Sequence, residues 1–133
     1  MRVANKDADR KEVGRIGESL AAKYLENKGF TVLTRNYREK WGEIDIVAEK
    51  GGCVRFVEVK TVSRENIEDG SREMNDYRPE EMVHPAKLQR VARTAETYMA
   101  EHHDERDYQI DVVGVLLDSD HKRAHCRLFE QVL

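Results

Sequence analysis

Asp45, Glu58 and Lys60 are the residues whose types and spacing could do chemistry together. Gly51-Gly52 lies between two β-rich runs, residues 43–49 and 54–61, and a hairpin turning on that pair sets Asp45 directly opposite Glu58. Facing carboxylates on one side of an antiparallel pair have Cβ atoms ~5 Å apart, a contact that costs stability unless a cation lies between them. A divalent metal ion would meet that need. Lys60 returns to the same face two residues beyond Glu58, at the strand period. The flanking runs, Ile44-Asp45-Ile46-Val47 and Phe56-Val57-Glu58-Val59-Lys60, are otherwise of core type, where an unpaired charge is expensive. The competing account is an alternating strand whose Asp45, Glu58 and Lys60 simply face water and pair weakly.

These residues need a sheet and helices to hold them. Val13, Ile16, Leu20, Ala21, Tyr24 and Leu25 recur at helical spacing between Arg10 and Lys28, with Gly29 in the C-cap position. Gly14 and Gly17 lie beside that apolar stripe, where a missing side chain lets a helix approach a sheet closely. Gly14-Arg15-Ile16-Gly17 also matches the GXXG loop of RNA-binding KH domains, but it falls inside the helical pattern. Residues 1–9 are expected as a flexible tail. A strand over residues 30–36 and a polar turn at Arg38-Glu39-Lys40 lead into the hairpin, whose first strand should carry Ile44, Ile46 and Ala48 on one face. Residues 62–84 show no apolar period and read as a polar, mobile, acidic loop excursion. Pro85 opens a second helix, with Leu88, Val91, Ala92, Ala95, Tyr98 and Met99 along its apolar face to about His102. Strands at 108–117 and 124–129 follow, joined through Asp118-Ser119-Asp120. The order is α-β-β-β-α-β-β, a single α/β domain with helices packed on a sheet.

Composition narrows the function. A chain of 133 residues with 37% charged residues and a mean hydropathy of −0.77 has no run of apolar residues long enough to span a membrane. Its opening residues lack the apolar core of a secretion signal, so a cytoplasmic location is expected. Cys53 and Cys126 are isolated, which suits small buried hydrophobes and excludes a cysteine-built zinc site. His102 and His103 are adjacent and would point apart on a helix, while His121 and His125 lie in a polar turn. Neither a triphosphate-binding glycine loop nor a serine-hydrolase elbow is present in the sequence. Between residues 65 and 81 stand seven acidic residues against Arg72 and Arg78, so this segment outweighs the net charge of −3 and the remainder is mildly basic. Lys87, Arg90 and Arg93, spaced by three on the second helix, are candidates for contact with phosphates, although a solvated helix face has the same pattern.

Several segments together resemble the YraN family of small bacterial proteins, which has a restriction-endonuclease-like fold of the PD-(D/E)XK nuclease superfamily. They are Gly17-Glu18 with Ala21-Ala22-Lys23-Tyr24-Leu25, Gly29-Phe30, Arg35-Asn36, Gly42-Glu43-Ile44-Asp45-Ile46-Val47, Phe56-Val57-Glu58-Val59-Lys60 and Asp111-Val112-Val113. The resemblance runs from about residue 14 to 116. It implies a central mixed β-sheet flanked by helices, with Asp45, Glu58 and Lys60 as the nuclease motif. It also implies that Glu18 is the additional acidic residue of the Holliday-junction-resolvase branch. Mg²⁺ or Mn²⁺ would then be held by Asp45, Glu58 and the Val59 carbonyl, and the partner would be nucleic acid, DNA before RNA. A homodimer would suit a junction with two strands to cut. The family usually has threonine and then arginine after the lysine. Here Val62 follows Thr61, and Arg64 is the next arginine, a displaced candidate for a nucleic-acid contact beside Lys87 and Arg90. The alternative is a binding module that keeps the fold without cutting.

Overall fold

A computed structural model describes residues 6–64, 79–118, 120 and 123–133. Helix α1 (Lys6–Asn27) leads into strands β1 (Thr31–Glu39), β2 (Gly42–Lys50) and β3 (Cys53–Arg64). The short helix α2 (Pro79–Met82) and the long helix α3 (Pro85–Glu101) follow, then β4 (Tyr108–Asp118) and β5 (Ala124–Phe129). The strands form one mixed sheet in the order β1-β2-β3-β4-β5, antiparallel except for the parallel β3–β4 pair. The parallel pair needs a crossover, and α3 lies within that connection. The result is the expected α-β-β-β-α-β-β order with one short helix added, an arrangement consistent with a nuclease-like fold.

Helices cover both faces of the sheet. On one, Ala21, Ala22 and Leu25 of α1 pack on Ile46, Ala48, Val57, Val113 and Val115. On the other, Leu88, Val91, Ala95, Tyr98 and Met99 of α3 pack on Val47, Val54, Phe56, Val112 and Leu116. Burial from both sides explains why β4 reads as a nearly continuous apolar run. Phe56 meets Tyr98 edge-on at 5.4 Å, and Tyr98 meets Tyr37 in the same way at 5.1 Å, tying α3 to the sheet. Pro85 stands at the start of α3 as its fixed φ favours, and the His84 ring accepts the Ala86 amide at 3.0 Å as a cap.

Three expectations change. Helix α1 begins at Lys6, inside the stretch expected as a flexible tail; neither Gly nor Pro interrupts residues 6–13, so the helix extends beyond its apolar stripe. Residues 62–64 continue β3 because their backbone pairs with Leu116–Asp118 of β4, whatever their polarity. At the other end of the supposed excursion, Met82 and Val83 are buried in the α3-side core. Two apolar residues suffice to anchor a chain without any period. Residues 65–78, the centre of the acidic run, lie outside the described residues, as do Ser119 and His121 of the second polar turn.

The two helical glycines differ. A Cβ on Gly17 would collide with the Thr61 side chain, so this glycine sets how closely α1 lies on β3. Gly14 has open space around its missing Cβ and sets nothing. Gly17→Ala should therefore cost about 1–3 kcal/mol through overpacking. Gly14→Ala should stabilise by about 0.5–1 kcal/mol through helix propensity. Urea unfolding of the two variants measures both, and equal effects would remove the close-approach account.

Candidate functional site

The turn between β2 and β3 has positive φ at both Gly51 (62°) and Gly52 (72°), the requirement of a two-residue type I′ hairpin. Five pairs follow in the register expected from the sequence, from Lys50–Cys53 to Ile46–Val57. The ladder stops there, one step short of Asp45 and Glu58. A regular ladder would spend the Val59 N–H on the Ile44 carbonyl; instead Val59 donates to Asp45 Oδ2 at 2.8 Å. On the other flank of β2, Arg35 pairs with Ile46 and Tyr37 with Ile44, and Asn36 between them has φ of 55°, a conformation asparagine tolerates better than most residues. Face alternation breaks at this point. Ile44 enters the α3-side core while Ile46 and Ala48 face α1, so the three residues expected on one face are divided between two.

The interruption opens a cleft of about 820 Å³ between the two helices. Glu18 from α1, Asp45 from β2, Glu58 and Lys60 from β3 and Lys87 from α3 all line it. Glu58 is 2% exposed. Its Oε1 accepts Lys87 Nζ at 2.6 Å, while its buried Oε2 has no hydrogen-bond partner among the described residues. Burial, and then the charge of Asp45, push the Glu58 carboxyl up to about 7. Asp45 is also raised, by burial first; the Val59 N–H works against the shift and the charge of Glu18 adds to it. Burial pulls the Lys87 ammonium down, but Glu58 outweighs it and the group is held above its ordinary value.

Glu18 leans toward the hairpin as its helix edge suggests, with Oε1 held by Arg35 at 3.2 Å from Nη2 and 3.3 Å from Nε. Lys60 is exposed and makes no ion pair with any described residue. Arg90 and Arg64 do not line the cleft. Three-residue spacing turns a helix face by about 60° per step, so Lys87, Arg90 and Arg93 fan away from one another: Lys87 reaches Glu58, whereas Arg93 lies over the Trp41 ring. Sequence reasoning missed the clamp by Arg35, and also Asp9 and Arg10, which line the cleft from the start of α1. Arg35 stands beside the strand residue opposite Asp45, a signal visible only once the β1–β2 register is known.

Among the described residues no three or more His, Cys, Asp or Glu side chains converge as a metal-binding group. The donor set is smaller and harder: two opposed carboxylates, one with a buried unpartnered oxygen, and the Val59 carbonyl. That carbonyl leaves β3 on the same edge as the Val59 N–H, toward the place where β2 departs. Such a set suits an oxygen-seeking ion that keeps several waters, as Mg²⁺ and Mn²⁺ do.

The model of the uncharacterised protein family UPF0102 matches residues 17–115, a span that holds Glu18, Asp45, Glu58, Lys60 and Lys87 but not Asp9 and Arg10. A UPF0102 protein of Chlorobium limicola is 39% identical over 114 residues, 85% of this chain and 81% of that one. Another from Chlorobium chlorochromatii is 40% identical over 111 residues, covering 84% and 79% of the two chains. A third, from Dictyoglomus turgidum, is 37% identical over 108 residues, covering 80% and 84%.

The carboxylate pair has a pH signature. Glu58 binds its proton more tightly in the native state than at its ordinary value of 4.5, so its contribution to stability is fully present below about pH 4.5 and is lost as pH rises through about 7. In metal-free buffer, Glu58→Gln should lose less stability than the wild type over that window. Urea unfolding of both proteins across the window gives the difference; parallel curves would show that the Glu58 carboxyl is not raised in the native state.

Proposed function

The chain belongs to the uncharacterised protein family UPF0102, the family its motifs resemble under the name YraN, and from its site we propose a metal-dependent endonuclease or resolvase-like protein that hydrolyses phosphodiester bonds in nucleic acid, DNA first. The observation that carries this reading is the pair of half-buried Asp45 and buried Glu58 at the break in the β2–β3 ladder, with Glu58 Oε2 buried and without a hydrogen-bond partner among the described residues. Mg²⁺, or Mn²⁺ in its place, would be held by Asp45, Glu58 and the Val59 carbonyl, and when bound supplies Lewis-acid polarisation of a phosphate oxygen. The chain's own groups do the rest. Lys60, exposed and on rigid strand backbone, donates to a phosphate oxygen and orients the attacking water. Glu18, fixed by Arg35, holds a hydrogen of that water. Lys87 offsets the charge of Glu58, which commits its amine within the cleft. Arg90 and Arg64 serve a strand beyond the cleft, and two copies of the chain would suit a junction substrate.

A second reading is favoured by the ion pair between Lys87 and Glu58, which neutralises the buried carboxylate with no metal present. A binding module that keeps the fold without cutting would need nothing more.

Incubation with labelled single-stranded, duplex and branched DNA in Mg²⁺ or Mn²⁺ separates the two. The expected result is metal-dependent cleavage, abolished in Lys60→Ala and Glu58→Gln, with binding largely kept in Lys60→Ala. Thermal melts with millimolar Mn²⁺ should move upward by a few degrees for the wild type and Lys60→Ala but not for Asp45→Asn, since a ligand of the native state stabilises it. Binding without cleavage across metals and pH would favour the module; a melt shift equal in Asp45→Asn would remove the metal site.

A further inference from the structure

The turn joining β1 to β2 carries Trp41, the sole tryptophan of the chain, and neither core cluster contains it. Neither Lys40 nor Trp41 has positive φ, so the turn accepts most residues and does not itself call for an indole. The turn is drawn onto α3 at Gly42, where a Cβ would come within 2.8 Å of Thr94 Oγ1 and 3.7 Å of Arg90 Cβ. Trp41 thereby lies under the Arg93 guanidinium, 4.6 Å from the ring centroid, and its buried Nε1 has no hydrogen-bond partner among the described residues. An unpaired buried N–H is a cost, and the cation over the ring offsets part of it. Local stability does not explain this indole.

The facing stretch of α3 carries charge of one sign, while the turn itself is flanked by Glu39, which accepts the Tyr37 hydroxyl at 2.7 Å, and by Glu43. From Pro85 to Ala95, α3 carries Lys87, Arg90 and Arg93 and no acidic residue; Arg90, Arg93 and the turn's own Lys40 are exposed. Glu43, the nearest acid along β2, is paired with Arg38 at 3.4 Å. Arg93 lies about 9 Å beyond Lys87 along the helix axis, the length of two to three stacked nucleotides. A basic track thus winds round α3 from the cleft to an aromatic ring.

Resting on the nucleic-acid reading above, we propose that this track is a single-strand platform: an unpaired base stacks at Trp41, replacing or sandwiching the Arg93 guanidinium, while Lys40, Arg90 and Arg93 hold the adjoining phosphates. An unpaired base has a free face to offer, whereas the bases of a duplex are already stacked on one another. The substrate class of the cleft then becomes a strand with an unpaired segment, as at a flap, a branch or a free end.

A lone tryptophan reports its own contact. In metal-free buffer, oligo(dT) should quench Trp41 fluorescence to saturation, while a blunt duplex of equal length leaves it nearly unchanged. Followed by anisotropy of a labelled strand, Trp41→Ala should weaken single-strand binding about tenfold, with Trp41→Phe between it and the wild type. Arg90→Ala and Lys40→Ala should each lessen the salt dependence of binding. Unaltered fluorescence on saturation with oligo(dT), or wild-type affinity in a folded Trp41→Ala, overturns the platform; if such a variant also cuts DNA normally, the nuclease reading stands without it. Should Trp41→Ala fail to fold, the wild-type quenching and Trp41→Phe decide. A wild-type protein that binds no nucleic acid overturns both.

Discussion

The hydrogen bond from the Val59 amide to the Asp45 carboxylate takes a donor that the β2–β3 ladder would otherwise use, and the site follows from that substitution. With its bridge to Val59 gone, β2 turns Ile44 to the opposite face, and Asn36 on β1 takes up the change with a positive φ. Beyond Ile46–Val57 the two strands no longer fill the space between them. Glu18 enters that space from α1 and Lys87 from α3, each from a helix docked on its own face of the sheet. Gly17 contributes at one remove: by letting α1 lie against Thr61, it brings the Glu18 side chain within reach of the strand ends.

Burial then makes the site electrostatically incomplete. Burial raises both carboxyls, with the charge of Asp45 adding to the shift of Glu58 and the charge of Glu18 adding to that of Asp45. Lys87 supplies one positive charge to one oxygen of Glu58 and leaves the other oxygen alone. A monovalent ammonium on a flexible stem offsets one of the two carboxylates, whereas the proposed divalent ion would offset both. The chain is acidic as a whole, with the excess concentrated between residues 65 and 81. On the proposed reading, a phosphate partner would be drawn by the local cations of the cleft and α3, since the overall field repels it.

The hairpin was legible because its information is local. A Gly-Gly turn fixes the register, and alternation then places Asp45 across from Glu58 and Lys60 on the face of Glu58. What was not legible depends on where elements dock. The rotation of α3 about its own axis sends Lys87 to Glu58 and Arg93 to Trp41, although three-residue spacing alone treats them alike. The clamp on Glu18 needs the β1–β2 register, which a bulge near Leu33 shifts by one residue. Strict alternation assumes an unbroken ladder and so puts Ile44 on the face of Ile46, whereas Asp45 breaks the ladder and Ile44 joins the α3-side core. Met82 and Val83 are buried in the core from within a polar run, since two apolar residues next to a helix start carry no period to detect.

Two lysines in one cleft divide the work by how they are mounted. Lys87 stands on a helix, where its long side chain crosses to Glu58 and is half-covered in doing so; its amine is committed to cancelling a buried charge. Lys60 stands on the central strand, one residue past the Val59 amide that binds Asp45, and its amine is exposed with no ion pair among the described residues. A group that must meet a phosphate needs an uncommitted charge and a rigid base, because each flexible bond adds entropy to be lost on contact. Lys60 has the backbone for that task and Lys87 has the partner for the other. Removing Lys87 would leave Glu58 to the field of Asp45 alone, whereas removing Lys60 would leave the carboxylate pair as it stands. The same fold thus holds one cation that makes the site tolerable and another that is available to act in it.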